Sequence, residues 1–284
     1  MLLNNRIIWK DNTTLRDISI NMSDFYAGTE TMPIVAAEDA IYIGSDMPFN
    51  HRFFDLGASG ANAVASSVSV RIWDGNSFNA AVDVLDLTRS SAGATLSKSG
   101  IISWVTDRNQ SWEREDTTEN ISELSTLKIY QMYWVKLTFS ADLTSTTALN
   151  YIGHKFSEDT HLASFYADLD NTALKTSIKS GKTDYEDQEI AAAEIIVSDL
   201  RQKRDLWSVN QILDWERFQQ PSVHKTAEII YSLLGQDFED DRTRARQYYK
   251  EELSKSKSNG GIDLDADGRL DVMEKFTVAG IKRR

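Results

Sequence analysis

The sequence contains no cysteine among its 284 residues. That excludes disulfides, thiol nucleophiles and thiolate metal sites together, and leaves packing and subunit contacts to hold any assembly that works outside a cell. Long apolar runs are missing as well. No stretch of about 18 apolar residues occurs, so no transmembrane helix is expected, and the N-terminal MLLNNRIIWKDNTT lacks the apolar core of a cleaved secretory signal. Positive charge is scarce: 31 Lys and Arg face 43 Asp and Glu, and the net charge of -12 repels phosphate, which argues against a general nucleic-acid coat. The four histidines, His51, His154, His161 and His224, share no ligand spacing, and none follows a Glu in a zinc motif. Ser180, Gly181, Lys182 and Thr183 look like the end of a phosphate-binding loop, but the position of its first glycine is Thr176 and no strand precedes it.

Against these absences stands one dense motif, DLDADGRLDVME from Asp263 to Glu274. Counted from Asp263, carboxylates fall at positions 1, 3 and 5 (Asp263, Asp265, Asp267), and Gly268 supplies the sharp turn at position 6. Arg269 would give its carbonyl at position 7, Asp271 sits at 9, and Glu274 closes at 12 as a bidentate ligand. Acids packed so tightly repel one another unless a hard cation neutralises them, so Ca2+ is the expected ligand; an Asp/Gly-rich surface turn is the alternative. Upstream, SKSKSNGG from Ser254 to Gly261 replaces a helix running straight into the loop, and the chain has no second such loop. The site is therefore EF-like, and a weak structural clip rather than a sensor is expected.

The chain has material for two domains of ordinary size, with 41% hydrophobic residues to fill their cores. Up to about residue 157 its pattern is that of strands. Asp39–Gly44, Ser67–Trp73, Gly100–Val105, Gln131–Phe139 and Ala148–Phe156 are rich in β-branched and aromatic residues and are separated by Gly, Asn, Asp and Ser. Val68, Val70 and Ile72 alternate with Ser67, Ser69 and Arg71, and Tyr133, Val135, Leu137 and Phe139 repeat the pattern opposite Trp134, Lys136 and Thr138. Asp74, Gly75 and Asn76 form a tight turn between Trp73 and Phe78. Residues 1–157 are thus expected to form an antiparallel β-sandwich, of jelly-roll type.

Beyond it the period becomes helical. A capping box at Thr183–Glu186 precedes Ile190, Ala193, Val197 and Leu200 on one face, and a second at Ser208–Gln211 opens the segment around Ile212 and Trp215. Pro221 starts a helix carrying Val223, Ala227, Ile230 and Leu234 that ends at Gly235. The acidic run Asp237–Asp241 opens another that continues through Tyr248 and Leu253. A shorter helix around Leu162, Phe165 and Leu169 bridges the two halves. Residues 158–256 are read as a helical bundle and 257–284 as the EF-like loop and tail.

Catalytic chemistry finds little support, and no enzyme is expected. Asp107, Glu113, Glu115 and Asp116 cluster between strands and could line a sugar cleft with Trp104 and Trp112, or be a solvated loop with two aromatic anchors. Arg242, Arg246 and Lys250 repeat every four residues and share a helix face. They either pair within the helix, with Glu239, or dock onto an acidic partner or a neighbouring subunit.

The segments KTDYEDQEIAAAEIIVSDLRQK, NQILDWERF and PSVHKTAEIIYSLLGQDFEDDRTRARQYYKEEL, within residues 158–256, resemble the head-to-tail adaptor (connector, neck) proteins of tailed bacteriophages. The strand half, with IYIGSDMPFNHRFFD and YWVKLTFSADLT, is similar to β-sandwich domains of phage structural proteins. The resemblance implies a virion protein of the neck, made in the host cytoplasm and assembled as a homo-oligomeric ring of roughly twelve copies. One face would meet the portal protein and the other a downstream neck or tail protein. DNA would pass through an acidic lumen without specific binding, and no membrane is involved. The helix face of Arg242, Arg246 and Lys250 and the tail Lys282, Arg283 and Arg284 become the partner-contact candidates. A glycan- or receptor-binding tail or collar protein is the alternative, with Trp73, Phe78, Trp104 and Trp112 as its rim aromatics.

Overall fold

Alternation of apolar and polar residues decides the first half of the chain. In the computed structural model, which describes residues 5–56, 60–106, 111–179, 182–202, 206–258, 261–265 and 267–270, this half forms antiparallel sheets and the second half forms helices, an α+β protein. By packing, the main break falls between Gly153 and His154.

The strands are β1 (Asn5–Asp11), β2 (Thr14–Asp17), β3 (Glu30–Thr31), β4 (Ala40–Ser45), β5 (His51–Leu56), β6 (Val68–Trp73), β7 (Phe78–Ala80), β8 (Val82–Asp86), β9 (Gly100–Val105), β10 (Arg114–Thr117), β11 (Tyr130–Phe139) and β12 (Ala148–Gly153). A one-turn helix, α1 (Ser19–Ser23), sits between β2 and β3. One sheet runs β2-β1-β4-β11-β6-β7 with β10 also beside β11, and the other runs β3-β12-β5-β9-β8. Both sheets feed one apolar core. Ile7, Trp9, Ile41, Ile43, Val70, Ile72, Val135 and Leu137 come from the first sheet, and Phe54, Ile102, Trp104, Leu149 and Ile152 from the second. The opposite face of the first sheet is covered too: Ile8, Tyr42, Trp73 and Trp134 pack with Ile121 and Leu124 of the turns preceding β11.

The expected alternations hold. Val68, Val70 and Ile72 are buried while Ser69 and Arg71 are exposed, and Val135, Leu137 and Phe139 enter the shared core while Trp134 faces the other way. The turn after Trp73 forms as read: Asp74 N–H donates to the Ser77 carbonyl (3.1 Å), Gly75 takes φ +94°, and Trp73 pairs with Phe78. The strand expected to reach Phe156 stops at Gly153.

The helical half contains α2 (Asp159–Phe165), α3 (Thr172–Ile178), α4 (Glu186–Gln202), α5 (Gln219–Leu234) and α6 (Glu239–Ser258). Helix α5 packs against both α4 and α6. Its residues Val223, Ala227, Ile230 and Tyr231 join Leu162, Leu169, Tyr185 and Ala245 in one apolar cluster. A second cluster collects Ala193, Ile196 and Leu200 of α4 with Tyr249 and Leu253 of α6, Phe156, Phe218 and Ile262. One detail differs from the sequence reading. Asp184, not Thr183, accepts the Glu186 N–H (3.3 Å) at the start of α4. On α6 the inward tyrosine is Tyr249, whose hydroxyl donates to Asp199 Oδ2 (2.6 Å), while Tyr248 is exposed. Ala245, Tyr249 and Leu253 keep the four-residue spacing of one face, which Tyr248 does not share. Among the described residues no helix is long and apolar enough to cross a membrane.

Candidate metal centre

The Ser208–Gln211 capping box predicted from sequence is present and opens a single 3-10 turn. Gln211 Oε1 accepts the N–H groups of Trp207 (2.8 Å) and Ser208 (3.1 Å), which aims its amide nitrogen at the Asp263 carbonyl, 2.7 Å away. The Asp263 N–H returns a bond to the Gln211 carbonyl (2.8 Å), and Ile262 pairs with Ile212 in an isolated antiparallel bridge. A two-way backbone anchor thus fixes Asp263, which is fully buried.

From this anchor the chain turns so that Asp263, Asp265 and Asp267 each offer one carboxylate oxygen, all within 4.8 Å of one another. Oxygens that bind Ca2+ at about 2.3–2.6 Å lie at most about 5 Å apart, so the three are spaced as a hard cation requires. Asp265 and Asp267 are exposed. Gly268 follows at φ +81°, a left-handed conformation that favours glycine, and the Arg269 N–H donates to Asp267 Oδ1 (2.8 Å). Positions 1, 3, 5 and 6 of the motif therefore converge, and position 7, Arg269, is half-buried beside them. Asp271, Glu274, Lys282, Arg283 and Arg284 lie outside the described residues. Helix α6 stops at Ser258, ahead of the loop, and the loop is entered through the Ile262 bridge.

The basic face of α6 is largely engaged within the fold. Arg246 Nε donates to Glu228 Oε1 on α5 (2.6 Å), and Glu228 Oε2 also takes Lys225 (2.8 Å). Arg242 pairs with Glu239 (2.6 Å), the intrahelical contact weighed from sequence, and Arg244 pairs with Asp241 (3.4 Å). Lys250 is exposed.

Of the four aromatic residues read as a glycan rim, three are inside the protein and Phe78 is half-buried. Trp73, Trp104 and Trp112 are buried, and Phe49 stands 5.3 Å from the rings of both Trp104 and Trp112. Glu115 is buried as well, accepting from Trp73 Nε1 (2.9 Å) and Asn120 Nδ2 (2.6 Å). A carboxylate so occupied is a structural acceptor, while Glu113 and Asp116 sit nearer solvent and Asp107 is outside the described residues. Sequence reading missed two charge clusters that the fold assembles, one half-exposed around Glu123 and one buried around Lys155. Glu123 takes the Lys136 ammonium (2.6 Å) and the Tyr42 hydroxyl, and Lys155 sits between Glu186 and Glu189.

Among the histidines, His51 is fully buried, with Nδ1 3.0 Å from Asn50 Oδ1; burial, then the nearby Arg52 charge, pushes its pKa down to about 3. His161 accepts the Glu158 N–H (3.2 Å) at the start of α2, and His224 is 2.8 Å from the Tyr166 hydroxyl. These partners give His51, His161 and His224 structural roles. Comparison with protein-family models, with curated proteins and with solved structures returns no match for this chain.

Proposed function

We propose that this chain is a structural virion protein, a head-to-tail adaptor of a tailed bacteriophage. In this reading it forms a ring of roughly twelve copies between the portal and the next neck or tail protein, with DNA passing through the lumen. The reading is carried by the helical half. Two of the three segments on which the sequence resemblance rests supply helices α4, α5 and α6, which share apolar clusters of the kind an adaptor bundle needs, while NQILDWERF forms 3-10 turns between α4 and α5. A net charge of -12 supports passage of DNA without adhesion. The strand half is then an outward decoration or collar contact, of jelly-roll type; its non-consecutive neighbours β4, β11 and β6 support that finer description.

Within this function the Asp263–Asp267 loop is an EF-like Ca2+ clip that stiffens the C-terminal segment before it meets the portal. The convergence of three carboxylates on one point supports it. Partner contacts fall to the α6 face of Arg242, Arg246 and Lys250, on which Arg246 and Lys250 are exposed, and to the tail from Lys282 to Arg284.

The test is native mass spectrometry and negative-stain imaging of the purified chain mixed with a portal ring, with Ca2+ and with chelator. A stoichiometric ring stacked on the portal is expected, with the stack lost under chelation. A monomer indifferent to the portal, with residues 1–157 binding a bacterial polysaccharide saturably, would replace this reading with glycan recognition.

A further inference from the structure

The connector between β12 and α2 buries a lysine among more acid than it can neutralise. Lys155 Nζ lies 2.8 Å from Glu189 Oε2 and 3.5 Å from Glu186 Oε1, and the three side chains are 8%, 2% and 13% exposed. One ammonium thus meets two carboxylates out of water. The neighbouring cations are engaged elsewhere: Lys175 of α3 holds Asp159 of α2 (2.6 Å), and Lys179 and Lys182 hold Asp187 on α4 itself. On the connector, His154 flanks Lys155 and Glu158 adds negative charge, and from α5 the Ser222 hydroxyl meets Ser157 at 2.8 Å. Glu189 Oε1 is buried with no hydrogen-bond partner among the described residues. A carboxylate oxygen buried without a donor from the protein is far costlier to hold ionised than protonated.

We propose that Glu189 keeps a proton at neutral pH and that, with Lys155, it latches the first turns of α4 to the connector, the latch weakening as that proton is released in mildly alkaline solution. Glu186 reaches water more than Glu189 does, so of the two carboxylates Glu189 gives up its charge. Burial, working against the pull of Lys155, pushes Glu189 up to about 8. Burial also opposes the charge on Lys155, yet the acidic groups around it, Glu186 and Glu158 besides Glu189, hold it above its ordinary range, so the ammonium persists.

The sign follows from proton linkage. The folded pKa of Glu189 exceeds the unfolded value of about 4.3, so its stabilisation is complete below that value and lost as pH rises through about 8. Denaturant unfolding of the full chain, followed by its helical signal, is expected to show an unfolding constant about tenfold larger at pH 9 than at pH 7. Glu189→Gln, which keeps a neutral acid's shape, should flatten that dependence and equal or exceed the parent at pH 9. Infrared spectra of the unmodified chain should show a protonated-carboxyl band that disappears between pH 7 and 9. A parent unfolding constant level across this range, or the absence of that band, would overturn the proposal even if the variant failed to fold.

Discussion

Trp104 separates a structural aromatic from a ligand platform. Its ring is 2% exposed, lies among core residues from both sheets, and meets Phe49 edge-on at 5.3 Å. Burial of about 150–250 Å² at about 25 cal/mol/Å² gives about 4–6 kcal/mol as an upper bound, close to the 3–5 kcal/mol typical of Trp→Ala in cores. Trp104→Ala should therefore destabilise the strand half by about 3–5 kcal/mol. Trp104→Phe should behave differently. It leaves a smaller void, costing about 1 kcal/mol, and removes an indole N–H that is buried without a partner among the described residues, a liability of about 1–3 kcal/mol. The phenylalanine variant is expected within about 1 kcal/mol of the parent. Urea unfolding followed by near-UV circular dichroism reads both numbers, with the slope checked for two-state behaviour. A loss below about 1 kcal/mol for the alanine variant, accompanied by loss of polysaccharide binding, would show that the ring is a platform and that this core is wrongly assigned.

Three further outcomes are expected. The folded pKa of His51 lies below its unfolded value of about 6.5, so its contribution is complete above that pH and fades as pH falls towards 3, costing about 2 kcal/mol by pH 5; His51→Gln should flatten acid titrations of the strand half's stability. Gly235, between α5 and α6 at φ +102° and ψ -163°, occupies a region essentially restricted to glycine, and Gly235→Ala should cost about 1–3 kcal/mol by thermal unfolding although no atom stands within 4 Å of the added methyl. With 10 mM Ca2+ and a dissociation constant of about 10⁻⁴ to 10⁻³ M, the chain should gain about 1.4–2.7 kcal/mol, a gain absent in the Asp265→Asn, Asp267→Asn double variant; equal stabilisation of both by Ca2+ would remove these residues as ligands.

The legible parts of the fold were strands whose second face carries polar residues, Ser69 and Arg71 on β6 and Lys136 and Thr138 on β11. β6 and β11 showed alternation because each residue pair divides cleanly between core and opposite side. β1 did not, because Ile7 and Trp9 enter the shared core while Ile8 enters the second apolar cluster, so Ile-Ile-Trp carries no period-two signal. β5 was hidden differently. Its His51, Arg52 and Asp55 are buried polar residues, with Arg52 stacked 3.6 Å over Phe49 and Asp55 accepting from Ser99 (2.8 Å), and polar residues in a strand read as loop. The mistaken rim had a readable correction. Trp104 shares strand parity with Ile102, and parity alone assigns it to the core face of β9.

The candidate site divides along the same line between local and distant information. Acids at alternate positions before a glycine converge whatever surrounds them, so Asp263, Asp265 and Asp267 were found from spacing, and the loop geometry brings their oxygens together. What spacing could not reveal is that Asp263 differs from the other two. Its burial depends on Gln211, 52 residues earlier, and on a capping box whose second acceptor doubles as the anchor's donor. The same holds for Lys155 and Glu189, which look like two solvated charges until the connector is folded against α4. Buried polar groups take their energetics from partners distant in sequence, because each must be satisfied by whatever the tertiary fold brings within hydrogen-bond reach. Under the proposed Ca2+ reading Asp263 should therefore carry two separable roles, a backbone anchor that survives chelation and a ligand that does not, whereas Asp265 and Asp267 are exposed and lack that two-way anchor to Gln211.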